Sequence, residues 1–163
     1  MPFKLELHIS GIRELPGHEQ VEATEDLELL ALPLCELLSD AGAVFVAGGF
    51  GDDDWPVDVR YDLASVVPQF PALLASLESG SSAEIDFFEQ GIQRTVAVTY
   101  EGDRVHLQCH SSGRWKPAFP EEQMSRARFS GMVSDLTRHF SKAVTVVAPE
   151  ISGLSQFRDW RSG

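Results

Sequence analysis

The stretch that decides the fold runs from Ala83 to His110 and reads AEIDFFEQGIQRTVAVTYEGDRVHLQCH. Apolar and polar residues alternate in three segments, and a turn sequence separates each segment from the next. Alternation with a period of two is typical of a β-strand that buries one of its faces. The stretch therefore predicts a β-meander of three antiparallel strands, around which the rest of the chain is arranged.

The second hairpin of this meander can be registered from its residues alone. Gly102 and Asp103 suit a two-residue turn whose first central residue has positive φ, which glycine adopts at little cost. The predicted pairs are Glu101 with Arg104, Tyr100 with Val105, Thr99 with His106, Val98 with Leu107, Ala97 with Gln108, Val96 with Cys109 and Thr95 with His110. Every second pair is apolar, and a slip by one residue would destroy this agreement, so the pattern supports the register.

The first hairpin, around residues 89–91, leaves two registers open. One register pairs Phe87 with Arg94, and the other, with a longer loop, pairs Asp86 with Arg94. Both keep the strands antiparallel, so the prediction of a meander does not depend on the choice.

The flanking segments predict further strands and helices. Strands are expected at 3–9, 43–47, 57–61 and 144–147, where apolar residues alternate or cluster. Helices are expected at 25–41, capped by Thr24 and broken at Pro33, and at 68–80. The strongest helix signal covers 120–141, where Phe129, Met132, Val133, Leu136 and Phe140 form one apolar stripe.

These elements predict an α+β fold, in which an antiparallel sheet built around the central β-meander at 83–110 carries helices mainly on one face. The chain of 163 residues is long enough for one domain with a sizeable core, which we place at 1–150. Residues 151–163 form a C-terminal tail in which Phe157 and Trp160 either dock on the domain or stay mobile.

Composition excludes several classes of function. The net charge of −12 disfavours binding to nucleic acid, which requires clustered Lys and Arg, and it suits a basic protein partner. No apolar run is long enough to span a membrane, and the first ten residues alternate instead of forming a signal peptide. The two cysteines, Cys35 and Cys109, cannot form a disulfide framework, so we expect a cytoplasmic protein.

The most unusual stretch is GGFGDDD at 48–54, followed by Trp55. Its spacing matches neither an EF-hand loop nor a phosphate-binding loop. Three interpretations stay open: a mobile acidic loop, a partner-binding loop, or a site for a hard cation that also uses Asp58 and Asp62. For a binding protein, the expected partner-binding residues are Asp52, Asp53, Asp54, Trp55 and Asp58, with the indole as anchor beside an acidic rim. No cofactor and no metal are expected.

No arrangement of residues in the sequence points to an enzyme. His106 and His110 lie on the polar face of one strand, about 13 Å apart, too far to bind one metal ion. They could instead help to line a shallow polar pocket. Trp115, between Arg114 and Lys116, either stacks on a ligand or closes the edge of the core.

Four features together give the chain a resemblance to a known group of proteins. They are DWPVDVRYDL at 54–63, a helix that ends in LLASLESG at 73–80, the strand sequence GDRVHLQC at 102–109, and Trp115 before an amphipathic helix. This layout resembles that of the small acidic immunity proteins of bacterial polymorphic toxin systems. The resemblance implies a cytosolic protein that binds and blocks a cognate toxin by acidic complementarity. It carries no site residues over.

The leading hypothesis is therefore a non-enzymatic cytosolic binding protein, an immunity protein that neutralises a cognate toxin through an acidic surface. A first alternative is a small enzyme or ligand-binding domain that uses the polar sheet face around His106 and His110. A second alternative is a structural or assembly module, in which an edge of the meander pairs between subunits.

Overall fold

The computed structural model describes residues 2–87 and 92–162 and confirms the α+β fold. Two antiparallel sheets are present in this part of the chain. Strands β1 (Lys4–His8) and β2 (Val44–Gly48) form a two-stranded sheet. Strands β3 (Ala83–Phe87), β4 (Arg94–Glu101), β5 (Arg104–Ser111) and β6 (Glu121–Ser125) form a four-stranded sheet in that order.

The helices lie between and after these strands. Helix α1 spans Leu27–Ala41, between β1 and β2. A helical run then begins with a π-helical turn at Val59–Leu63 and continues through α2 (Ala64–Val66), a 3₁₀ turn (Val67–Gln69) and α3 (Phe70–Ser79). Helices α4 (Arg126–Val147) and α5 (Ser155–Ser162) complete the chain.

The register predicted for the second hairpin is confirmed at every pair, from Glu101 with Arg104 to Thr95 with His110. Gly102 has a φ of 60°, as the two-residue turn requires. In the first hairpin, Phe87 pairs with Arg94, so the first of the two open registers is the correct one. The turn expected at 89–91 lies outside the described residues.

One face of the four-stranded sheet is covered by helices. Its side chains are buried and apolar: Ile85, Phe87, Val96, Val98, Val105, Leu107, Cys109 and Met124. Helix α4 contacts β5 and β6 on this face. Four residues of its predicted stripe, Phe129, Val133, Leu136 and Phe140, are buried, and the fifth, Met132, is half-buried. Tyr100 joins sheet and helices, because its ring contacts Phe129 edge-on and its hydroxyl bonds to Ser76 Oγ at 2.7 Å.

The outer edge of β3 is closed by a side chain. The Gln69 amide donates from Nε2 to the Asp86 carbonyl at 2.8 Å and accepts from the Asp86 N–H at 2.9 Å. These two bonds take the place that a neighbouring strand would occupy, and they block pairing with another chain at this position. The assembly hypothesis therefore cannot use the Asp86 position of the β3 edge while Gln69 holds it.

The predicted helix at 120–141 is wrong at both ends. Residues 121–125 form strand β6, because Met124 packs opposite Val105 and the Glu122 carboxylate accepts hydrogen bonds from two distant backbone N–H groups. Helix α4 instead begins after Ser125, whose Oγ accepts from the Arg128 N–H. It then continues through 144–147, where we predicted a strand.

Three local predictions in the first half of the chain also need correction. Asp26, not Thr24, caps α1, since its carboxylate accepts from the Glu28 N–H at 3.0 Å. The helix passes through Pro33 without ending there. The strand predicted at 57–61 is a π-helical turn, because the Asp58 carboxylate accepts from the N–H groups of Tyr61 and Asp62 and so starts a helix.

The C-terminal tail docks on the domain. Phe157 and Trp160 of α5 are buried in an aromatic cluster with Phe70 and Phe140, with ring centroids 5.5 to 6.4 Å apart. This segment thus contributes Ile151, Phe157 and Trp160 to the core of the protein. No helix in the described part of the chain combines the length and the apolar character that crossing a membrane requires.

Candidate binding surface

The GGFGDDD stretch forms a tight turn directly after β2. The N–H and C=O groups of Gly49 and Asp52 bond to each other at 2.7 and 3.1 Å. The two residues between them, Phe50 and Gly51, have φ values of 59° and 92°, as in a type I′ turn. Positive φ is unfavourable for phenylalanine, and the complete burial of the Phe50 ring offsets this cost.

The glycines of this turn are held by close packing. A Cβ atom on Gly49 would lie 2.7 Å from the Phe3 Cα, and one on Gly51 would lie 2.6 Å from the Ala118 Cβ. Neither contact can be relieved without moving backbone. This packing disfavours the interpretation of the stretch as a mobile acidic loop.

Trp55, the expected anchor for a partner, is buried with 2% of its surface exposed. Its ring stacks between Phe3, Phe50 and Phe87, and its Nε1 donates to the Gly49 carbonyl at 3.2 Å. The prediction that Trp55 contacts a partner is wrong in this conformation. Its indole holds the turn in place instead.

The predicted acidic residues are split between structural and exposed positions. Asp58 caps a helical turn, and Asp52 lies half-buried with Oδ2 4.0 Å from the Arg94 Nη1. Asp53 and Asp54 are exposed. Asp58 is exposed as well, but its carboxylate accepts from the N–H groups of Tyr61 and Asp62. Of the five predicted partner-binding residues, Asp53, Asp54 and Asp58 are thus exposed, and Asp58 also has this capping role.

Arg94 is an unexpected cation on the covered side of the sheet, with 4% of its surface exposed. Its guanidinium lies 3.6 Å from the centre of the Trp115 ring and 4.8 Å from that of Trp55. Burial lowers the pKa of this guanidinium, while Asp52 opposes the shift. Trp115 thus packs on Arg94 and Trp55, which matches the interpretation that it closes the edge of the core.

Phe119 is the aromatic residue at this site that the sequence analysis missed. Its side chain is 66% exposed, the largest exposure among the described large hydrophobic residues. Its N–H donates to the Phe50 carbonyl at 3.3 Å, so the rigid turn fixes its position. A signal for Phe119 was present in the sequence. It lies between Pro117 and Pro120, and Trp115 is the other large apolar residue of the connection at 111–120.

Glu122 joins the turn to the four-stranded sheet. Its carboxylate accepts from the Phe3 N–H at 2.7 Å and from the Phe50 N–H. The Glu122 side chain thereby connects three parts of the molecule. They are Phe3, which precedes β1, the turn that contains Phe50, and strand β6, which follows Phe119. This places Phe119 and Glu121 next to Gly51, around a shallow depression of about 370 Å³.

No helix of the described chain lies over the second face of the four-stranded sheet. Its side chains are half-buried or exposed, among them Thr95, Thr99, His106, Gln108 and His110. Two further shallow depressions lie on this face, and both are lined by Gln108. One of them is also lined by Glu121 and Gln123, which line the depression at Phe119 as well. The result is one continuous surface, which we call the Phe119 surface.

The Phe119 surface is acidic. Glu84, Glu101 and Glu121 line its depressions, and no lysine or arginine does so among the described residues. Arg104, which pairs with Glu101 on this face, is exposed beside the depressions without lining them. His106 contacts Glu101, with Nε2 2.9 Å from Oε2. The face is open and shallow instead of enclosed, which disfavours the alternative of a ligand pocket around His106 and His110.

Neither cysteine is suited to nucleophilic chemistry at neutral pH. Burial raises the pKa of the Cys109 thiol to about 11, and burial also raises the pKa of Cys35. Within residues 2–87 and 92–162, no group of three His, Cys, Asp or Glu side chains is placed to hold a metal ion.

Comparison with known proteins gives no match. No protein-family model fits the sequence, and no curated protein and no solved structure is significantly similar to it. What this protein does must therefore be inferred from its own surfaces.

Proposed function

We propose that this protein is a non-enzymatic binding protein that neutralises a basic protein partner, as an immunity protein neutralises its toxin. The contact is made through the Phe119 surface. Asp53 and Asp54, beside the same turn, extend its acidic rim. The proposal places the protein in the cytoplasm, where a toxin that acts inside the cell would be met.

The observation that carries this proposal is an exposed phenylalanine on a rigid support, surrounded by carboxylates. Large aromatic side chains supply much of the binding energy at protein interfaces, and little entropy is lost when their backbone is already held. The Phe119 backbone is held by its hydrogen bond to Phe50. Phe119 therefore takes the role that we had expected of Trp55.

The surrounding charges favour a cationic partner. Glu84, Glu101 and Glu121 lie on one open face, and no cation lines its depressions among the residues that the structure describes. Such a surface attracts basic proteins, speeds their association and repels nucleic acid. Toxins that act on nucleic acids have basic catalytic surfaces, which makes them suitable partners on chemical grounds.

The test is binding to the product of the neighbouring gene, measured by calorimetry at low and at high salt. Phe119→Ala should weaken binding by about 2 kcal/mol, roughly thirtyfold. Joint substitution of Asp53 and Asp54 by Asn should weaken binding less and reduce its dependence on salt.

Matched controls separate this surface from charge in general. Glu78→Gln removes an exposed carboxylate from α3, and Val44→Ala removes exposed apolar atoms from β2. Both should leave binding unchanged. Absence of binding, or equal losses in Phe119→Ala and Val44→Ala, would contradict the proposal.

A further inference from the structure

A groove of about 670 Å³ lies between α1 and the segment that precedes it. Residues 19–24 form one wall, and Leu29, Leu30, Pro33, Glu36, Leu37 and Asp40 form the other. This groove is separate from the Phe119 surface, since the two share no lining residue. No function has been assigned to it so far.

Helix α1 is apolar on two sides. Its core side is buried and contains Leu27, Leu30, Ala31, Leu34, Cys35, Leu38 and Ala41. Its outer side carries Leu29 and Leu32, which are 65% and 45% exposed, and continues through Pro33 and Leu37. A helix with apolar side chains around most of its circumference is normally covered on all of these sides. The outer side of α1 is covered only in part in the described chain, because residues 19–24 form one wall of the groove while Leu29 and Leu32 stay exposed.

The groove is rimmed by acceptors without cationic partners. Glu19, Glu22 and Glu36 make no ion pair in the part of the chain that the structure describes, whereas Asp40 is paired with Arg60 at 3.0 Å. The charge of the chain is concentrated in the same region. Residues 1–62 contain 14 Asp and Glu but only 3 Lys and Arg, against 11 and 10 in the remainder.

Pro33 leaves one backbone carbonyl of α1 without its helical hydrogen bond. Proline has no N–H, so the Leu29 carbonyl lacks the donor that a helix normally provides four residues later. The groove is complementary to a segment that has apolar side chains flanked by Lys or Arg. The apolar side chains match the exposed leucines, and the cations match the three carboxylates and the carbonyl without its usual partner.

From these features we infer that the groove along α1 docks a basic amphipathic helix of a partner protein. The occupant inserts apolar side chains between Leu29 and Leu37 and directs its cations to Glu19, Glu22 and Glu36. Leu29 and Leu37 are about 12 Å apart along α1, which matches the apolar stripe of two turns of a partner helix. An anionic lipid surface is excluded as occupant by the sign of the rim charges.

The test uses a fluorescein-labelled peptide of about 15 residues in which Leu and Lys follow an amphipathic helical order. Fluorescence anisotropy measures its binding to the full chain. A peptide of the same composition in scrambled order, without an apolar stripe, is the control for charge alone. We expect the ordered peptide to bind at least tenfold more tightly than the scrambled peptide. Equal affinity of the two peptides, or binding of neither, would overturn the inference.

Variants then locate the peptide. Leu29→Asn should weaken binding about tenfold, whereas Val44→Asn, which alters another exposed apolar residue, on β2, should have no effect. Glu36→Gln should weaken binding about threefold and lower its salt dependence, and Glu28→Gln, on the same helix but outside the groove, should not. If the groove variants and their controls bind alike, the peptide does not occupy the groove and the inference fails.

This inference is independent of the proposed function at the Phe119 surface. Phe119→Ala should leave peptide binding unchanged, and Leu29→Asn is tested without the neighbouring gene product. Failure of one set of experiments therefore does not affect the other.

Discussion

The two faces of the four-stranded sheet are made of the same strands and yet differ in almost every property. On the covered face, Val98 and the apolar side chains beside it on the adjacent strands are buried under helices. On the open face, Thr99 and its neighbours remain in contact with solvent, among carboxylates and histidines. Because side chains alternate along a strand, adjacent residues serve stability and recognition separately. Substitutions on the open face can therefore change binding without unfolding the protein.

The largest expected effect tests this separation directly. Val98→Glu places a charge in the core and should lower the free energy of unfolding by more than about 4 kcal/mol, or prevent folding. Thr99→Glu, one residue further on, should lower it by about 1 kcal/mol or less. Urea unfolding of the two variants measures the difference. Similar losses would mean that the open face is covered in solution.

A second pair of neighbours concerns β6, where Glu122 is the one carboxylate that the strand directs to the covered side. Glu122→Ala leaves the N–H groups of Phe3 and Phe50 without their acceptor and should cost about 2 kcal/mol. Glu121→Ala, on the open face, should cost less than about 0.5 kcal/mol. The same urea experiment compares them. A small effect of Glu122→Ala would show that water replaces the carboxylate.

The edge of the sheet provides a third comparison. Gln69→Ala removes both hydrogen bonds to the Asp86 backbone and should cost about 1 kcal/mol, since solvent can partly replace them. It also exposes the β3 edge, so we expect self-association in sedimentation velocity at high protein concentration. Gln108→Ala, on the open face, is the control and should stay as monomeric as the original chain. A Gln69→Ala variant that associates no more than this control would contradict the role of Gln69 in closing the edge.

The smallest expected effect concerns Asp62, a buried carboxylate that accepts from the Asp58 N–H at 2.8 Å. Burial raises its pKa, and the neighbouring Asp58 hydrogen bond opposes this shift only in part. The folded state therefore binds the Asp62 proton more tightly than the unfolded state does. This contribution to stability is fully present below the unfolded pKa of about 4 and is lost as the pH rises through the folded value.

Asp62→Asn should thus be more stable than the original chain at pH 7, by about 0.5 kcal/mol, because an amide oxygen can still accept the hydrogen bond without carrying charge. The advantage should shrink as the pH falls towards 4. Thermal unfolding between pH 3 and 7 measures it, with the exposed Glu25→Gln as control. If the stability advantage of Asp62→Asn grew as the pH fell, folding would lower the pKa of Asp62 instead of raising it.

Much of the fold could be predicted because it follows from local patterns. The Gly102 turn and the alternation on both sides of it determined the register of β4 and β5, and the stripe from Phe129 to Phe140 determined which side of α4 is buried. Errors arose where distant contacts override local preference. Residues 121–125 have a sequence that suits a helix start, but the N–H groups of Phe3 and Phe50 bind Glu122 and keep the segment extended.

Of the proposed site, the sequence predicted Asp53 and Asp54 but not Phe119. An aromatic anchor beside carboxylates was expected at Trp55, and the structure presents Phe119 instead, next to the same turn. The exposure of a tryptophan depends on what packs around it. Phe3, Phe87, Arg94 and Trp115 come from four separate parts of the chain, so no local pattern could show that they enclose Trp55.

What the sequence determined by itself is the α+β class, the meander, the register of its second hairpin and the charge of −12. These depend on spacing between near neighbours. Tertiary structure decided which aromatic residue is buried, which carboxylates hold backbone N–H groups, and which faces of the sheet and of α1 stay uncovered. These properties are set by contacts between residues far apart in the chain, because burial is a property of the packed molecule and not of any one segment.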